Sequence, residues 1–185
     1  MRPLNSHVDL VLQAQAGDRE AFIQLMREIE VQLYRTAWAI VKQEEDCADA
    51  LQETMLNAFK SLQALKEPSY FKTWIFRILI NVCNQILKKR ARTLPFADLP
   101  NVVSPSSEYE KIDLWDAVDR LEDKQRLVIV LHYFEDMPLS QVGEVLDLSL
   151  EAVKTRLHRA RIKLKDSIRT PDDKELIHGE SISGR

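Results

Sequence analysis

The sequence predicts an all-α protein of two small helical domains joined by an extended linker. Three observations predict it. Apolar residues recur at steps of three and four along most of the chain, which places them on one face of successive helices. Glycine is scarce, 4 in 185 residues, which argues against a turn-rich β architecture and against glycine loops that cradle phosphate. Between 93 and 107 the period lapses and Pro95, Pro100, Pro105, Ser104, Ser106 and Ser107 accumulate, the texture of a linker. The expected division is a first domain over 1–92, the linker over 93–107, a second domain over 108–170, and a polar tail without periodicity over 171–185.

In the first domain a short helix around 8–16 comes first. Asp18, after Gly17, is positioned to cap a long helix whose stripe is Phe22, Leu25, Met26, Ile29, Leu33 and Ala37. The next helix carries Ala48, Leu51, Met55, Ala58, Leu62 and Leu65 and stops before Pro68. A third runs from about Phe71 to Arg92, with Phe71, Ile75, Ile78, Leu79, Val82 and Ile86 inward. These helices make a bundle. In the second domain Leu114, Val118 and Leu121 mark one helix, and Leu127, Val128, Val130 and Leu131 the next, with Asp123 as its expected cap. Two helices joined by a tight corner follow Pro138.

Hydrophobic residues make up 45% of the chain, enough for a packed core, and charged residues 30%. The net charge is −3, so the chain as a whole is not a basic nucleic-acid binder, but its charges are segregated. Lys154, Arg156, Arg159, Arg161, Lys163 and Lys165 crowd one helix against Glu151 alone; Lys88, Lys89, Arg90 and Arg92 form a second basic cluster; Glu44, Glu45, Asp46, Asp49 and Glu53 form an acidic one. Such segregation suits more than one kind of partner. Cys47 and Cys83 are far apart with no CxxC or His/Cys cluster, so they are expected as reduced core thiols, without disulfide or metal. No secretory leader and no membrane-spanning run is expected. His7, His132, His158 and His178 are scattered and no nucleophile–base spacing accompanies them, so an enzyme and a cofactor are not expected.

Residues 138–164 have the layout of a helix-turn-helix. Val142, Val145 and Leu146 point inward from the first helix. Gly143 stands where a side chain would obstruct the crossing, Asp147-Leu148-Ser149 makes the corner, Leu148 plugs the core, and Ser149 caps the second helix. On that helix Val153, Leu157, Ala160 and Leu164 form the buried stripe. Glu151, Thr155, His158, Arg159 and Ile162, flanked by Lys154, form the opposite face, short, polar and basic enough for a major groove. Arg156, Arg161 and Lys163 lie at the rims, where phosphate contacts are expected.

A second nucleic-acid face belongs to the third helix of the first domain. Trp74, Arg77, Asn81, Asn84 and Lys88 line one side, with Tyr70, Phe71 and Lys72 just before them. Rings to stack on, amides for base edges and cations for phosphates are what unpaired bases need. Spacing alone assigns Phe71 to the core and leaves Trp74 open. Asp49, Gln52, Glu53 and Leu56 share an acidic, partly apolar face on the preceding helix that suits protein docking.

Four stretches, in this order over about 16–168, resemble the extracytoplasmic-function sigma factors. Gly17-Asp18-Arg19-Glu20-Ala21-Phe22 resembles the opening of that family's region two; Asp46-Cys47-Ala48-Asp49-Ala50-Leu51-Gln52-Glu53-Thr54 its polymerase-docking helix; Phe71-Lys72-Thr73-Trp74-Ile75-Phe76-Arg77-Ile78-Leu79-Ile80-Asn81 its strand-opening segment; Val153-Lys154-Thr155-Arg156-Leu157-His158-Arg159-Ala160-Arg161 its region-four recognition helix. The resemblance implies that Asp49, Gln52, Glu53 and Leu56 face the β′ clamp helices of core RNA polymerase, and that region four meets the β flap. It implies that the loop from Lys66 to Phe71, with Arg77 and Asn81, captures a flipped base and the non-template strand of the minus-ten element, and that Lys154, Thr155, His158 and Arg159 read the minus-thirty-five element as duplex; Tyr70, Lys72, Trp74 and Lys88 are expected at the first site, and Ser149, Arg156 and Arg161 at the second. It further implies promoter DNA and an anti-sigma protein as partners, no small-molecule substrate, and a cytoplasmic setting, with the anti-sigma able to hold the protein at the membrane. Three residues depart from the pattern: Met55 replaces a usual aromatic, Pro138 stands where a capping Ser is common (with Asp136 available to cap instead), and His158 occupies a contact position that varies. The competing readings are an ordinary helix-turn-helix regulator with an N-terminal interaction domain, and a helical adaptor that binds only protein.

Overall fold

The computed structural model describes residues 7–93 and 114–168, and every regular element among them is helical. The linker expected over 93–107 falls outside the described residues except for its first position, as does the tail over 171–185. The first half contains α1 (His7–Gln15), α2 (Arg19–Val41), α3 (Glu44–Ser61) and α4 (Phe71–Thr93). The second contains α5 (Leu114–Asp119), α6 (Asp123–Ile129), α7 (Leu139–Leu146) and α8 (Leu150–Ile168).

Local chemistry sets the boundaries. Gly17, at φ +100°, turns the chain out of α1, and the Asp18 carboxylate accepts from the backbone N–H groups of Glu20 (2.9 Å) and Ala21 (3.2 Å) to start α2. Lys42 ends α2 in the left-handed region, its N–H donating to Trp38 O. No side chain caps α3, but Glu44, Glu45 and Asp46 place negative charge at its positive end. Two short 3₁₀ turns follow. The Gln15 amide donates to Leu62 O (2.9 Å) and Leu65 O (2.7 Å), tying α1 to the first of them, and Pro68 opens the second, which feeds α4.

The predicted stripe of α2 is inward, with Phe22 half-buried. On α3 and the turn after it Leu51, Ala58, Leu62 and Leu65 are buried as predicted and Met55 is half-buried, but Ala48 is exposed, and Cys47, Ala50 and Thr54 are buried as well. Ala48 lies one position off the three-and-four spacing that joins Cys47 to Ala50, Leu51 and Thr54. On α4, Phe71, Ile75, Leu79 and Val82 are buried as expected, Ile78 and Ile86 are half-buried, and Phe76, Ile80 and Cys83 are buried as well. The cause is position: α4 packs on α2 and α3 and also on α7, so it buries more than one stripe.

In the second half Leu114 is 51% exposed, while Val118 and Leu121 are buried. Glu122, not Asp123, is the N-cap of α6 and makes no side-chain cap; Asp123 lies inside the helix and pairs with Arg126. The helix then widens into a π turn over Val130–Phe134, closed by Glu135 N–H to Val130 O at 3.1 Å. Asp136, at φ 50°, completes a corner that Met137 N–H to Leu131 O and His132 Nδ1 to Met137 O (2.8 Å) hold in place. Pro138 is the N-cap of α7 with no side-chain cap, so Asp136 does not cap it; its left-handed backbone is spent on the corner.

The two halves pack directly on each other. The π turn and α6 lie against α2, and α7 lies against α4. Lys42 Nζ meets Asp119 Oδ1 at 2.5 Å across the seam.

Candidate nucleic-acid interface

The corner between α7 and α8 is built as the sequence predicts. Asp147 takes φ 55°, Leu148 N–H donates to Gly143 O at 2.9 Å, and the Ser149 Oγ accepts from Ala152 N–H at 3.2 Å. A Cβ on Gly143 would stand 2.8 Å from the Leu148 carbonyl oxygen, so the residue without bulk serves the corner backbone itself. Leu148 is half-buried against the core. With the corner fixed, Val153, Leu157 and Ala160 are buried, Leu164 is half-buried, and the opposite face of α8 faces solvent.

On that face Ser149, Lys154, Thr155, His158, Arg159 and Arg161 are exposed, and Arg156 is half-buried. Three of the polar groups are oriented by neighbours. Lys154 pairs with Glu151 at 2.9 Å, the Thr155 hydroxyl donates to Glu151 O at 2.8 Å, and Lys163 pairs with Glu122 at 2.7 Å. Lys163, with a smaller contribution from Arg159, holds the Glu122 carboxyl below its ordinary range. The groups that could read base edges, His158 and Arg159, thus project from a helix whose rim charges are already set.

On α4, Arg77, Asn81, Asn84 and Lys88 are exposed along one side, and Tyr70 stands 46% exposed at its entry. Trp74 is half-buried, its ring 5.9 Å from that of Phe71. Phe71 is fully buried and meets the His7 ring edge-on at 5.3 Å, so its place is in packing, as spacing alone indicates, rather than on a base. Lys72 is half-buried, and its ammonium donates to Glu135 O at 2.5 Å. Arg90, from the basic end of α4, reaches Asp46 at 3.5 Å and is directed to α3.

The face of α3 on which docking is expected is exposed at Asp49, Gln52, Glu53 and Leu56. Sequence reading missed its apolar continuation: Phe59 is 54% exposed one turn beyond Leu56, its ring 5.2 Å from that of Phe22. The signal was available in the off-stripe apolar pair Leu56 and Phe59, spaced i,i+3. Cys47 and Cys83 are free and buried, and burial pushes their thiols up to about 11 and about 12. Among the described residues no cluster of His, Cys, Asp and Glu could hold a metal, and no helix is long and apolar enough to cross a membrane.

Comparison with known proteins agrees with this geometry. Residues 25–93 match the family model "Sigma-70 region 2" and residues 111–164 match "Sigma-70, region 4". The chain is 32% identical over 130 residues to RNA polymerase sigma factor SigV of Bacillus subtilis (strain 168), covering 69% of this chain and 78% of that protein. It is 31% identical over 163 residues to ECF RNA polymerase sigma factor SigM of Mycobacterium tuberculosis (strain ATCC 25618 / H37Rv), covering 86% and 83%. The chain belongs to the extracytoplasmic-function (ECF) RNA polymerase sigma factors. As a sigma factor it directs core RNA polymerase to promoters for transcription initiation. Among solved structures the sigma factor is similar to CnrH, recorded in complex with the cytosolic domain of CnrY, with a TM-score of 0.65 and 27% identity, covering 89% of this chain and 97% of that one. It shares its fold with the sigma factor RpoE of Bartonella quintana, at TM-score 0.64 and 20% identity, covering 78% and 94%.

Proposed function

We propose that the sigma factor works by binding alone, with α8 reading duplex DNA and α4 holding separated strands. The observation that carries this reading is the coincidence of two solvent-facing basic and polar faces on two helices of separate halves, each backed by a buried stripe. Lys154, Thr155, His158 and Arg159 contact base edges of the minus-thirty-five element, and Ser149, Arg156 and Arg161 meet its phosphates. Tyr70, Trp74, Arg77, Asn81 and Lys88, joined by Lys72 when it is free, hold the non-template strand of the minus-ten element. Phe71 supports Trp74 from beneath.

Asp49, Gln52, Glu53 and Leu56 dock on the β′ clamp helices, with Phe59 extending the apolar part, and the second half meets the β flap. Each DNA contact alone is weak, and mounting both on one polymerase joins them through effective concentration. Capture of unpaired bases offsets lost stacking of a few kcal/mol, so melting needs no catalytic group. The protein acts in the cytoplasm, within a stress or envelope response. CnrH is seen in complex with the cytosolic domain of CnrY, and RpoE with the anti-sigma factor NepR. We extend that kind of partner to this chain, where it can also hold the protein at the membrane.

A gel shift with and without core polymerase separates this reading from an ordinary helix-turn-helix regulator. Specific promoter complexes are expected only with polymerase present. Equal specific binding by the isolated chain would favour the regulator.

A further inference from the structure

The seam between the two halves carries a buried carboxylate at an unexpected place. Glu135 follows the π turn and is fully buried. Arg35, from α2, reaches its Oε1 at 3.4 Å and also donates to Phe134 O at 3.4 Å, with its guanidinium 6.0 Å above the Phe134 ring. Lys72, from α4, donates to the Glu135 backbone oxygen. Two cations of the first half therefore grip one corner of the second. The same Lys72 lies in the segment read as strand-binding, and the bond to Glu135 O draws its half-buried ammonium toward the corner, so corner and phosphate compete for it.

From this juxtaposition we propose that the corner at 134–137 is an internal latch, which holds the free sigma factor closed and withholds Lys72 from DNA. The withholding of Lys72 rests on the strand-binding role given to α4; the closure does not.

The latch is built to be opened. Among the described residues neither carboxylate oxygen of Glu135 accepts a hydrogen bond, although the side chain is out of water. A charge held that way costs free energy that a neighbouring cation only partly returns. Burial accordingly pushes the Glu135 carboxyl above its ordinary range despite Arg35 and Lys72, with Asp136 adding to the rise. The backbone contacts and rings hold the corner, and the carboxylate strains it. The seam is also incompletely filled: a groove of about 390 Å³ lined by Val31, Tyr34, Trp38 and Trp115 runs beside Arg35. The halves otherwise share apolar packing, chiefly α7 on α4, so the gap beside Arg35 marks where their contact is weakest.

Two variants of the full chain should move in opposite directions. Arg35→Glu removes the donor to Phe134 O and sets a second carboxylate beside Glu135. Glu135→Gln keeps the shape and removes the strain. Small-angle scattering of the free protein reads closure, and titration against purified core polymerase reads its consequence, since a closed fraction weakens apparent binding in proportion. Arg35→Glu is expected to enlarge the radius of gyration and to bind core at least about threefold tighter. Glu135→Gln is expected to stay as small as the parent and to bind core more weakly. The latch is overturned if Arg35→Glu has the parent's radius of gyration, or if it expands without any gain in core binding. If core polymerase binds neither parent nor variant, the sigma-factor reading is what fails, and scattering alone still decides whether the corner closes the chain.

Discussion

Gly143 shows how much one residue can decide. Alanine there would gain about 1 kcal/mol of helix propensity. It would also drive a methyl to 2.8 Å from the Leu148 carbonyl, a backbone atom fixed by the corner. Overpacking against an atom that cannot give costs about 1–3 kcal/mol, so the clash should win. Gly143→Ala is expected to lower Tm and to loosen the set of α8 against α7; an unchanged or higher Tm would refute the corner geometry. Arg159 is the test of reading rather than of folding. It is exposed at the end of the face opposite the Val153 stripe. Arg159→Ala should weaken promoter binding by about 1–3 kcal/mol and relax selectivity at one base pair, measured by competition among single-base promoter variants. If affinity falls evenly for all variants, Arg159 holds phosphate instead.

At the scale of elements, α4 does two jobs on two sides. Its inner side packs on α2, α3 and α7, and its outer side presents Arg77, Asn81, Asn84 and Lys88. Asn81→Ala removes an exposed amide without touching the core, so stability should hold while strand opening suffers. Permanganate reactivity around the start site should fall while duplex binding with polymerase stays near normal; full reactivity would take Asn81 out of the opening step. Helical spacing made most of α2, α4, α7 and α8 legible, together with the caps at Asp18 and Ser149. It mistook Ala48 for a buried residue because alanine fits either face, and only packing against α2 and α4 fixes the rotation of α3. It passed over Phe76 and Ile80 because a helix covered on two sides shows no single stripe. Asp123 and Asp136 looked like caps by type, but the backbone starts its helices elsewhere.

At the scale of the whole molecule, the sequence marked a separation and the structure shows a seam. The proline- and serine-rich stretch reads as an expected division of the chain, and nothing in residue spacing says that the two halves also meet. Glu135 was unreadable for the same reason, since a charged residue at a helix end is ordinarily solvated. Its effect on pH has a definite sign. Its folded pKa is raised, so its favourable contribution is full below the ordinary value of 4.5 and is lost as pH rises through the raised value. Arg35 and Lys72 face it from α2 and α4, and Asp136 from its own corner; other carboxylates also titrate, and Glu122 does so with the opposite sign. The clean quantity is therefore a difference. Glu135→Gln should be at least as stable as the parent at pH 7, and the Tm gap should narrow as pH falls toward 5. A gap that widens on acidification would contradict the strained carboxylate.

On the function proposed, α4 and α8 act on DNA only when a polymerase carries both. Run-off transcription from genomic fragments, with purified core polymerase in the presence and absence of this protein, tests that directly. The expected result is a defined set of transcripts that appear only when the protein is added and disappear when Arg159 and Asn81 are both replaced by alanine. Core polymerase that yields the same transcripts with and without the protein would contradict it.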